Sequence, residues 1–489
     1  MKLRRLKISG YKNVGVCDVE FISPTLLNAV IGSNGSGKSN LIEAILHILI
    51  GCYFEKAPKF EFHLEFEVQS KIIVLRRSGY EVSVTANGRQ MSLRSLSKQL
   101  REGLAHELYP SLTLIYYSGE CRRVQKLIAR YQRHFQALTR NAETDRFRPL
   151  FVQSSNEQSQ TILIGLFAHG YQRLLDRLKL ENISDVKIVL RSPEGFDPKL
   201  HEPKLWNTEG AIRRIVSALD ETSSEQSGLG VLEVAPEIHK EGVKRHRPKP
   251  MKRSYNFREG RETGIIKLAE RLQAGGENVY LALESLRARG MLISVSFQLK
   301  RKDTTHRFPF DNLSEGEKQL LAVIGAATLT HQKENFILLD EPDTHLNPHW
   351  SWDYPSMLEE AMPPDSSSTV LMATHDPVII SGMNREQVLL AHPDSKGFSR
   401  PHRNPRGQGV ANLLCSSEFF GLPSSLDKET QKLLDERLAL SVKETLSDAD
   451  KAKLSSLNMR LEILPGVSER DPNYVKYLRE RSRSLSTEQ

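Results

Sequence analysis

Eight residues near the N-terminus constrain the fold of this chain more than any other segment. They follow the apolar run Leu26 to Ile31 and precede a helical pattern of apolar residues that begins at Leu41. The motif comprises Gly32, Ser33, Asn34, Gly35, Ser36, Gly37, Lys38 and Ser39. A glycine-rich loop between a strand and a helix lets several backbone N–H groups converge on one anion, because glycine leaves the approach open. The segment therefore predicts an α/β fold with a phosphate-binding loop.

The side chains at the end of this loop indicate which ligand it binds. A lysine in the position of Lys38 reaches the β- and γ-phosphate oxygens of a nucleotide, and a hydroxyl in the position of Ser39 is a Mg²⁺ ligand. The N-terminus of the following helix adds a partial positive charge. The predicted cofactors are therefore ATP and Mg²⁺, held by the residues from Gly32 to Ser39.

A second apolar strand, Phe336 to Leu339, ends in two adjacent carboxylates, Asp340 and Glu341. Ligand sites of α/β sheets lie at the carboxyl ends of the strands, so both are expected near the phosphate loop. Asp340 would hold hydrated Mg²⁺, and Glu341 would orient and polarise the attacking water. A third apolar strand, Thr369 to Ala373, leads into His375, which is the candidate sensor of the γ-phosphate.

The segment Leu313 to Gln319 reads L-S-E-G-E-K-Q and opens a helix. Ser314 and Glu317 have the spacing of a capping box, which by itself predicts only a well-capped helix. A second interpretation assigns Ser314, Gly316 and Glu317 to a second anion site, which would contact the γ-phosphate held by a partner subunit. The sequence is compatible with both interpretations.

Shorter patterns predict the remaining elements. Alternating apolar residues predict strands at Phe62 to Val68, Lys71 to Arg77 and Leu292 to Leu299, and Asn87-Gly88 has the composition of a tight hairpin turn. Residues 121–190 are predicted to be mostly helical, including a helix from Thr161 to Leu180.

The patterns divide the 489 residues into four regions. They are an N-terminal ATPase half with the phosphate loop (1–120), a helical lobe with a basic insertion (121–300), a C-terminal ATPase half (301–390), and a linker with a helical C-terminal region (391–489). A chain of this length has room for roughly two to four domains.

The composition is that of a globular chain, with 39% hydrophobic and 26% charged residues. The four cysteines are far apart and have no metal-ligand spacing, which favours a reducing compartment. No apolar stretch is long enough to span a bilayer, and the basic N-terminus lacks the apolar core of a signal peptide. The expected location is the cytoplasm, without membrane contact.

One basic stretch is a candidate for nucleic-acid binding. The formal net charge is +8, and Lys240 to Arg261 contains nine Lys and Arg against two Glu. Such a run binds nucleic-acid phosphates about as often as it forms a solvated insertion. The candidate contacts are Lys244, Arg245, Arg247, Lys249, Lys252 and Arg253.

Four motifs, in their order along the chain, resemble the ATP-binding cassette (ABC) ATPases. They are the phosphate loop, residues 313–319, residues 337–342 and His375. Residues 313–319 are similar to the signature motif, and residues 337–342 are similar to the Walker B motif with its catalytic glutamate. About 275 residues separate Lys38 from Ser314, which is longer than in transporter cassettes and similar to the RecF/SMC-like branch. The resemblance implies an ABC-ATPase head, with a mixed sheet around the phosphate-loop core, a helical lobe and, here, a helical C-terminal extension.

The same resemblance implies a head-to-tail homodimer or a higher oligomer. Two ATP molecules would then lie between the phosphate loop of one subunit and Ser314 and Gly316 of the other. The chain departs from the family pattern at Asn347, where many cassettes have Asp. The glutamine of the Q-loop has two candidate positions, Ser118 and Gln153.

Three further segments, 116–120, 340–350 and 419–440, resemble the PtuA-type ATPases of Septu and retron anti-phage systems. In that family the ATPase is similar to an ATP-controlled scaffold for a separate HNH nuclease of the PtuB type. In retrons, a reverse transcriptase and its RNA–DNA product (msDNA) join the assembly. The resemblance implies these partners for the present chain.

Two other functions compete with this interpretation. The first is a RecF/SMC-like ATPase of DNA repair or chromosome maintenance that binds DNA. The second is a self-contained nuclease of the OLD type, which would need an acidic cluster after the cassette. Residues 391–489 contain no strand-borne Asp-x-Asp and no HNH-like group of His and Asn. The chain is therefore expected to be an ATPase and not itself a nuclease.

Overall fold

The structure is a computed structural model of the chain. It describes residues 1–21, 26–104, 107–119, 121–140, 149–193, 196, 206, 208–231, 251–257, 263–330, 334–362, 367–392, 397–441, 443 and 445–462. The described strands, in chain order, are β1 (Lys2–Ser9), β2 (Val16–Glu20), β3 (Leu27–Ile31), β4 (Glu61–Val68), β5 (Lys71–Ser78), β6 (Glu81–Ala86), β7 (Arg89–Met91), β8 (Leu112–Tyr117), β9 (Phe151–Ser154), β10 (Leu180–Arg191), β11 (Glu225–Val231), β12 (Met251–Phe257), β13 (Leu292–Arg301), β14 (Arg307–Pro309), β15 (Asn335–Asp340), β16 (Thr369–Ala373), β17 (Val388–Ala391) and β18 (Phe398–Ser399).

The described α-helices are distributed along the same chain. They are α1 (Lys38–Tyr53), α2 (Leu93–Arg101), α3 (Arg122–Arg140), α4 (Ser159–Ala168), α5 (Gln172–Arg177), α6 (Gly210–Thr222), α7 (Thr263–Gln273), α8 (Val279–Ala288), α9 (Glu315–Leu320), α10 (Ala326–Leu329), α11 (Pro348–Glu360), α12 (Pro377–Ser381), α13 (Val410–Cys415), α14 (Lys428–Ser441) and α15 (Asp448–Glu462). A π-helical turn, Leu321–Gly325, joins α9 to α10.

A seven-stranded sheet forms the centre of the fold, with the strand order β18-β17-β3-β16-β15-β8-β9. The pairs from β17 to β9 are parallel, and β18 is antiparallel. The residues of β3, β15 and β16 are all buried. Their continuous apolar sequences fit this position, because parallel strands are covered on both faces.

This strand order fixes which loops meet at one edge of the sheet. The phosphate loop follows β3, Glu341 follows β15, and Thr374 follows β16. β16 lies between β3 and β15, so the strand that delivers His375 separates the phosphate loop from the two carboxylates. The mixed α/β fold predicted from the sequence is confirmed.

A six-stranded antiparallel sheet, ordered β2-β1-β4-β5-β6-β7, shares a hydrophobic core with α1 and with the central sheet. β4 alternates between exposed or half-buried and buried residues, as a sheet with one covered face requires. The predicted hairpin turn joins β6 to β7, where Asn87 and Gly88 both have positive φ, 48° and 76°. This geometry is typical of the two-residue turns that asparagine and glycine favour.

Within residues 121–190, the sequence prediction missed two strands. β9 pairs with β8 in the central sheet, and β10 is a twelve-residue strand. β10 is the middle strand of a five-stranded antiparallel sheet, ordered β11-β12-β10-β13-β14. The predicted helix Thr161 to Leu180 is also interrupted after Ala168, because the chain turns at Gly170, which has a φ of 68°.

The chain divides into two compact units, residues 1–407 and 408–489. The first contains the three sheets. In the second, α14 and α15 pack against each other around Leu433, Leu440, Leu457 and Leu461. The boundaries of the four regions predicted from the sequence stay a prediction.

None of the helices in the described part of the chain combines the length and the apolar character that a membrane crossing requires.

Candidate nucleotide-binding site

The phosphate loop requires glycine at two of its positions. At Gly32, with a φ of 155°, a Cβ atom would lie 2.4 Å from the carbonyl oxygen of Ala391 on the neighbouring strand. At Gly37, with a φ of 99°, it would lie 3.2 Å from the carbonyl oxygen of Asn13. The loop is therefore packed tightly against two other segments. Ser33, Asn34 and Gly35, at its tip, are exposed.

Lys38 folds back over the loop that precedes it. Its Nζ donates hydrogen bonds to the carbonyl oxygens of Gly32, at 2.8 Å, and Ser33, at 3.2 Å. Only 5% of the residue is exposed. Burial lowers the pKa of Lys38, and the nearby carboxylates of Glu341, Asp340 and Asp343 partly oppose this effect. The ammonium group is thus held against the loop that is predicted to bind the phosphates.

Ser39 and Asp340 meet beside this lysine, and their arrangement fits a Mg²⁺ ion. The Ser39 hydroxyl hydrogen-bonds to the Asp340 carboxylate, which is 9% exposed. Among the described residues, no group hydrogen-bonds to Oδ1 of Asp340, although that atom is buried. Burial raises the pKa of Asp340 to about 6, and the charge of Glu341 adds to this effect. A buried carboxylate oxygen without a partner, next to a hydroxyl, is suited to a hard cation that keeps several of its waters.

Glu341 lies at a strained position directly after β15. Its φ of 50° is in the left-handed region, which costs a non-glycine residue about 1–2 kcal/mol. Two hydrogen bonds hold it there: its N–H donates to Ala373, at 2.9 Å, and its carbonyl accepts from the Thr344 hydroxyl, at 2.9 Å. Nδ1 of His375 lies 3.6 Å from Oε1 of Glu341. The two predicted catalytic side chains are therefore neighbours.

A third carboxylate, Asp343, was not among the residues predicted from the sequence. It is 6% exposed and accepts a 2.8 Å hydrogen bond from the Thr374 hydroxyl. Its other oxygen, Oδ1, is buried without a hydrogen-bond partner in the described part of the protein. Burial raises the pKa of Asp343 to about 6. Because it is the third residue after Asp340, in a turn rather than in a strand, its position could not be read from the strand pattern.

The signature segment begins as the capping box predicts. The Ser314 hydroxyl accepts from the Glu317 N–H at 3.3 Å, and the Glu317 carboxylate accepts from the Ser314 N–H at 2.8 Å. Arg301 donates to the other oxygen of Glu317 at 2.8 Å. Both oxygens of this carboxylate thus have partners within the chain. Contact of Glu317 with the nucleotide stays a prediction, and Ser314 is exposed.

The loop that follows Glu341 packs on the signature segment of the same chain. The N–H of His345 donates to Oε1 of the buried Gln319 at 3.0 Å. A Cβ atom at Gly316 would lie 2.6 Å from the carbonyl oxygen of His345, so glycine is required for this approach. Asn347, where many ABC ATPases have Asp, caps α11 by accepting a hydrogen bond from the Trp350 N–H.

Sequence reasoning also missed the loop between β1 and β2. The Asn13 side chain donates to the carbonyl of Gly35 in the phosphate loop and accepts from Asn40 on α1. Asparagine in a short polar loop carries no signal for such a contact, because the loop and its partner are more than twenty residues apart in the sequence.

The predicted nucleic-acid contacts are only partly described. Lys244, Arg245, Arg247 and Lys249 lie outside the described residues. Lys252 is exposed on β12, but the prediction for Arg253 was wrong. Arg253 is 7% exposed, pairs with Asp220 at 3.1 Å, and packs over the ring of Trp206 at 5.4 Å.

The two Q-loop candidates occupy different places. The Ser118 N–H donates to the Asp340 carbonyl at 3.1 Å, so Ser118 lies at the edge that carries the site. Gln153 lies within β9, opposite Ile115. Glu120 is outside the described residues.

In the described ranges, no three His, Cys, Asp or Glu side chains surround a common metal position.

Residues 5–240 match the family described as an AAA domain, and residues 202–381 match the family described as an AAA domain, putative AbiEii toxin, type IV TA system. Each match covers less than half of the chain, and together the two span residues 5–381.

Three curated relatives match a part of the chain. It is 28% identical to the retron Vc95 probable ATPase of Vibrio cholerae serotype O1 biovar El Tor, over 29% of this chain and 29% of the relative. It is 24% identical to the Septu protein PtuA of Bacillus mycoides (strain KBAB4), over 31% of this chain and 22% of the relative. It is 31% identical to the cell division ATP-binding protein FtsE of Bacillus subtilis (strain 168), over 25% of this chain and 55% of the relative.

The matched segments span less than a third of the length of the first two relatives. Among solved structures, the SMC head bound to the C-terminal winged-helix domain of ScpA aligns with 82% of this chain and 97% of its own, at 14% identity and a TM-score of 0.37.

The raised pKa of Asp343 predicts that this residue lowers the free energy of unfolding in a pH-dependent way. Its folded-state pKa of about 6 lies above the ordinary value of 3.8, so the folded protein holds this proton to higher pH than the unfolded chain. Ionisation of Asp343 therefore lowers the free energy of unfolding as the pH rises from about 4 to about 6, by about 3 kcal/mol in total. We expect Asp343→Asn to be more stable than the wild type at pH 7.5, with a difference that vanishes near pH 4.

Urea unfolding of both proteins at the two pH values measures this difference. The control is Asp18→Asn, which removes a partly exposed carboxylate that pairs with Arg5 on the antiparallel sheet. It should show no such increase in stability at pH 7.5. A loss of stability in Asp343→Asn that is equal at both pH values would show that the carboxylate is a structural requirement instead.

Proposed function

We propose that the chain binds ATP at the phosphate loop and hydrolyses it at the edge of the central sheet. The observation that carries this proposal is the meeting of Lys38, Ser39, Asp340 and Glu341 at the edge of the central sheet, although they come from two segments about 300 residues apart in the sequence. Family matches to AAA domains on both halves of the chain support it.

Each residue has a distinct task in this reaction. The loop N–H groups and the Lys38 ammonium group bind the phosphates, and they draw negative charge away from the reacting phosphorus. Ser39 and Asp340 would hold Mg²⁺, which supplies charge neutralisation to the β- and γ-phosphate oxygens when it is bound. Glu341 orients the attacking water and accepts its proton. His375, beside Glu341, would contact the γ-phosphate.

The strain at Glu341 is consistent with this task. A left-handed backbone turns its side chain away from the direction that an extended strand would give it. Residues in such conformations persist only where surrounding contacts hold them, and they are concentrated at functional sites. The hydrogen bonds to Ala373 and Thr344 supply that restraint.

Replacing the proposed base tests the mechanism. We expect Glu341→Gln to bind ATP as the wild type does and to lower the turnover rate by at least about 10²-fold, since the amide cannot accept the proton. Phosphate release and nucleotide binding are measured on the same preparations. The control is Glu359→Gln, an exposed residue on α11, which should leave both unchanged. Normal turnover in Glu341→Gln would remove Glu341 from the mechanism.

We further propose that the catalytic unit is a head-to-tail dimer. Ser314 lies at the exposed start of the signature segment, with Gly316 two residues on. In the family that the motifs resemble, this segment completes the nucleotide site of the partner subunit. ATP would then close the interface between the subunits, and hydrolysis would open it.

Mixing two inactive variants tests the composite site. Lys38→Ala removes the phosphate contact, and Ser314→Arg blocks the signature segment, so each homodimer should be inactive. Random mixing places one intact site in each heterodimer, which predicts recovery of about a quarter of the wild-type rate. A mixture that stays inactive, while size measurements show that heterodimers form, would contradict a site shared between subunits.

We propose, finally, that this ATPase belongs to an anti-phage defence system and regulates a separate HNH nuclease. The similarity to the retron Vc95 probable ATPase and to the Septu protein PtuA supports this over the alternative of a RecF/SMC-like repair ATPase. In a retron, the assembly would also hold a reverse transcriptase and msDNA.

Capture of partners from the native host distinguishes the two functions. Glu341→Gln, expected to stay in the ATP-bound state, and Lys38→Ala, expected to lack nucleotide, serve as paired baits. We expect mass spectrometry to identify a small HNH protein, with or without a reverse transcriptase and branched RNA–DNA. Recovery of repair factors, or of DNA alone, would favour the repair function.

A further inference from the structure

Glu43 is a buried carboxylate on α1 for which the proposed reaction has no use. Only 2% of the residue is exposed, and acidic residues are rarely so buried unless they are paired. Two cations contact its Oε2 atom: Nζ of Lys12 at 2.6 Å and Nη2 of Arg123 at 3.4 Å. Lys12 comes from the loop between β1 and β2, and Arg123 comes from the start of α3. The carboxylate thus joins three segments of the chain.

Two further side chains contact this carboxylate. The Tyr11 hydroxyl hydrogen-bonds to Glu43, and Nε2 of His47, one turn further along α1, lies 3.8 Å from Oε1. Burial alone would raise the pKa of Glu43, but the hydrogen bonds from His47, Lys12 and Tyr11 outweigh it and lower the pKa to about 2. Glu43 is therefore ionised at neutral pH.

The loop between β1 and β2 depends on such an anchor for its shape. Lys12 has a φ of 47°, in the left-handed region that lysine avoids without restraint. One backbone hydrogen bond, from Val14 to Tyr11 at 3.0 Å, closes the turn. Glu43 contacts both Lys12 and Tyr11, and so fixes the loop at two consecutive residues.

The next residue of the same loop reaches the phosphate loop. The Asn13 side chain donates to the carbonyl of Gly35 and accepts from Asn40. The Asn13 carbonyl also lies against Gly37, where a Cβ atom would be 3.2 Å away. A restraint on Lys12 and Tyr11 is thus passed through Asn13 to the residues that would surround the phosphates.

We propose that Glu43 is a positioning residue for ATP. By holding Lys12 and Tyr11, it keeps Asn13 on Gly35 and so arranges the phosphate loop before the nucleotide arrives. Affinity gained in this way comes from preorganisation, because the loop no longer has to be ordered at the moment of binding. The inference rests on the proposed binding of ATP, and it assigns part of that affinity to a side chain that does not touch the ligand.

Glu43→Gln removes the charge and keeps the shape of the side chain. We expect the dissociation constant for ATP, and the KM, to rise roughly tenfold, while kcat changes less than about twofold, because Lys38, Asp340 and Glu341 are untouched. The matched control is Glu284→Gln, a half-buried glutamate on α8 that pairs with Arg287 at 3.0 Å and accepts a 2.9 Å hydrogen bond from Thr161. This control should leave the affinity for ATP unchanged, even if it lowers the free energy of unfolding as much as Glu43→Gln does.

A double-mutant cycle with Asn13→Ala tests the route of the effect. If Glu43 acts through Asn13, the second substitution adds little to the first, whereas independent effects multiply. Lys12→Met removes the other partner of the ion pair with Glu43. This variant replaces Glu43→Gln in the experiment if Glu43→Gln does not fold. The inference is overturned if Glu43→Gln or Lys12→Met binds ATP like the wild type, or if the effects of Glu43→Gln and Asn13→Ala multiply. Failure of the wild type to bind ATP would instead overturn the proposed function.

Discussion

The parallel ladder formed by β3, β16, β15 and β8 is the constraint on which the site depends. At the carboxyl edge, backbone hydrogen bonds continue one residue beyond the strands: Thr374 to Val30, Glu341 to Ala373, and Ser118 to Asp340. These bonds fix the spacing of the loops that carry the functional side chains. A shift of one residue in any pair would reverse the faces of the strand and move its carboxylate or histidine out of the site.

The site is held at a cost to the stability of the fold. An ammonium group and two carboxylates are buried at the edge of the sheet, and each of the two carboxylates has an oxygen without a hydrogen bond among the described residues. Glu341 adds backbone strain. The apolar strands on which these residues stand offset this cost, because removing most of a single buried leucine such as Leu338 or Leu339 would cost about 2–5 kcal/mol. Burial makes the lysine and carboxylates effective, since charges interact more strongly where water is excluded.

Local patterns were enough to predict the elements that present the chemistry. The strands before Gly32, Asp340 and Thr374 are short apolar runs, and the helix after Gly37 has a glycine-rich start. The residue pattern alone therefore assigns these segments to strands and to a helix. Contacts between distant segments could not be read in the same way. Arg253 lies in a basic run that favours a surface position, yet Asp220 and Trp206 bury it. Glu317 has the spacing of a capping residue, but only the fold brings Arg301 to its other oxygen. β9 was missed because its four residues give little periodicity, and its place is decided by pairing with β8.

The same long-range contacts connect the two halves of the proposed reaction. Loop 341–347 begins at the proposed catalytic carboxylate, is held by Thr374 through Asp343, and packs through His345 against Gln319 and Gly316 in the signature segment. In the proposed reaction, a movement of Glu341 when a phosphate leaves would therefore act on the packing of the signature segment in the same subunit. In the proposed dimer that segment faces the nucleotide of the partner, so the two sites would be coupled through bonds within each chain. A π-helical turn directly follows α9, and such turns are frequent at functional sites.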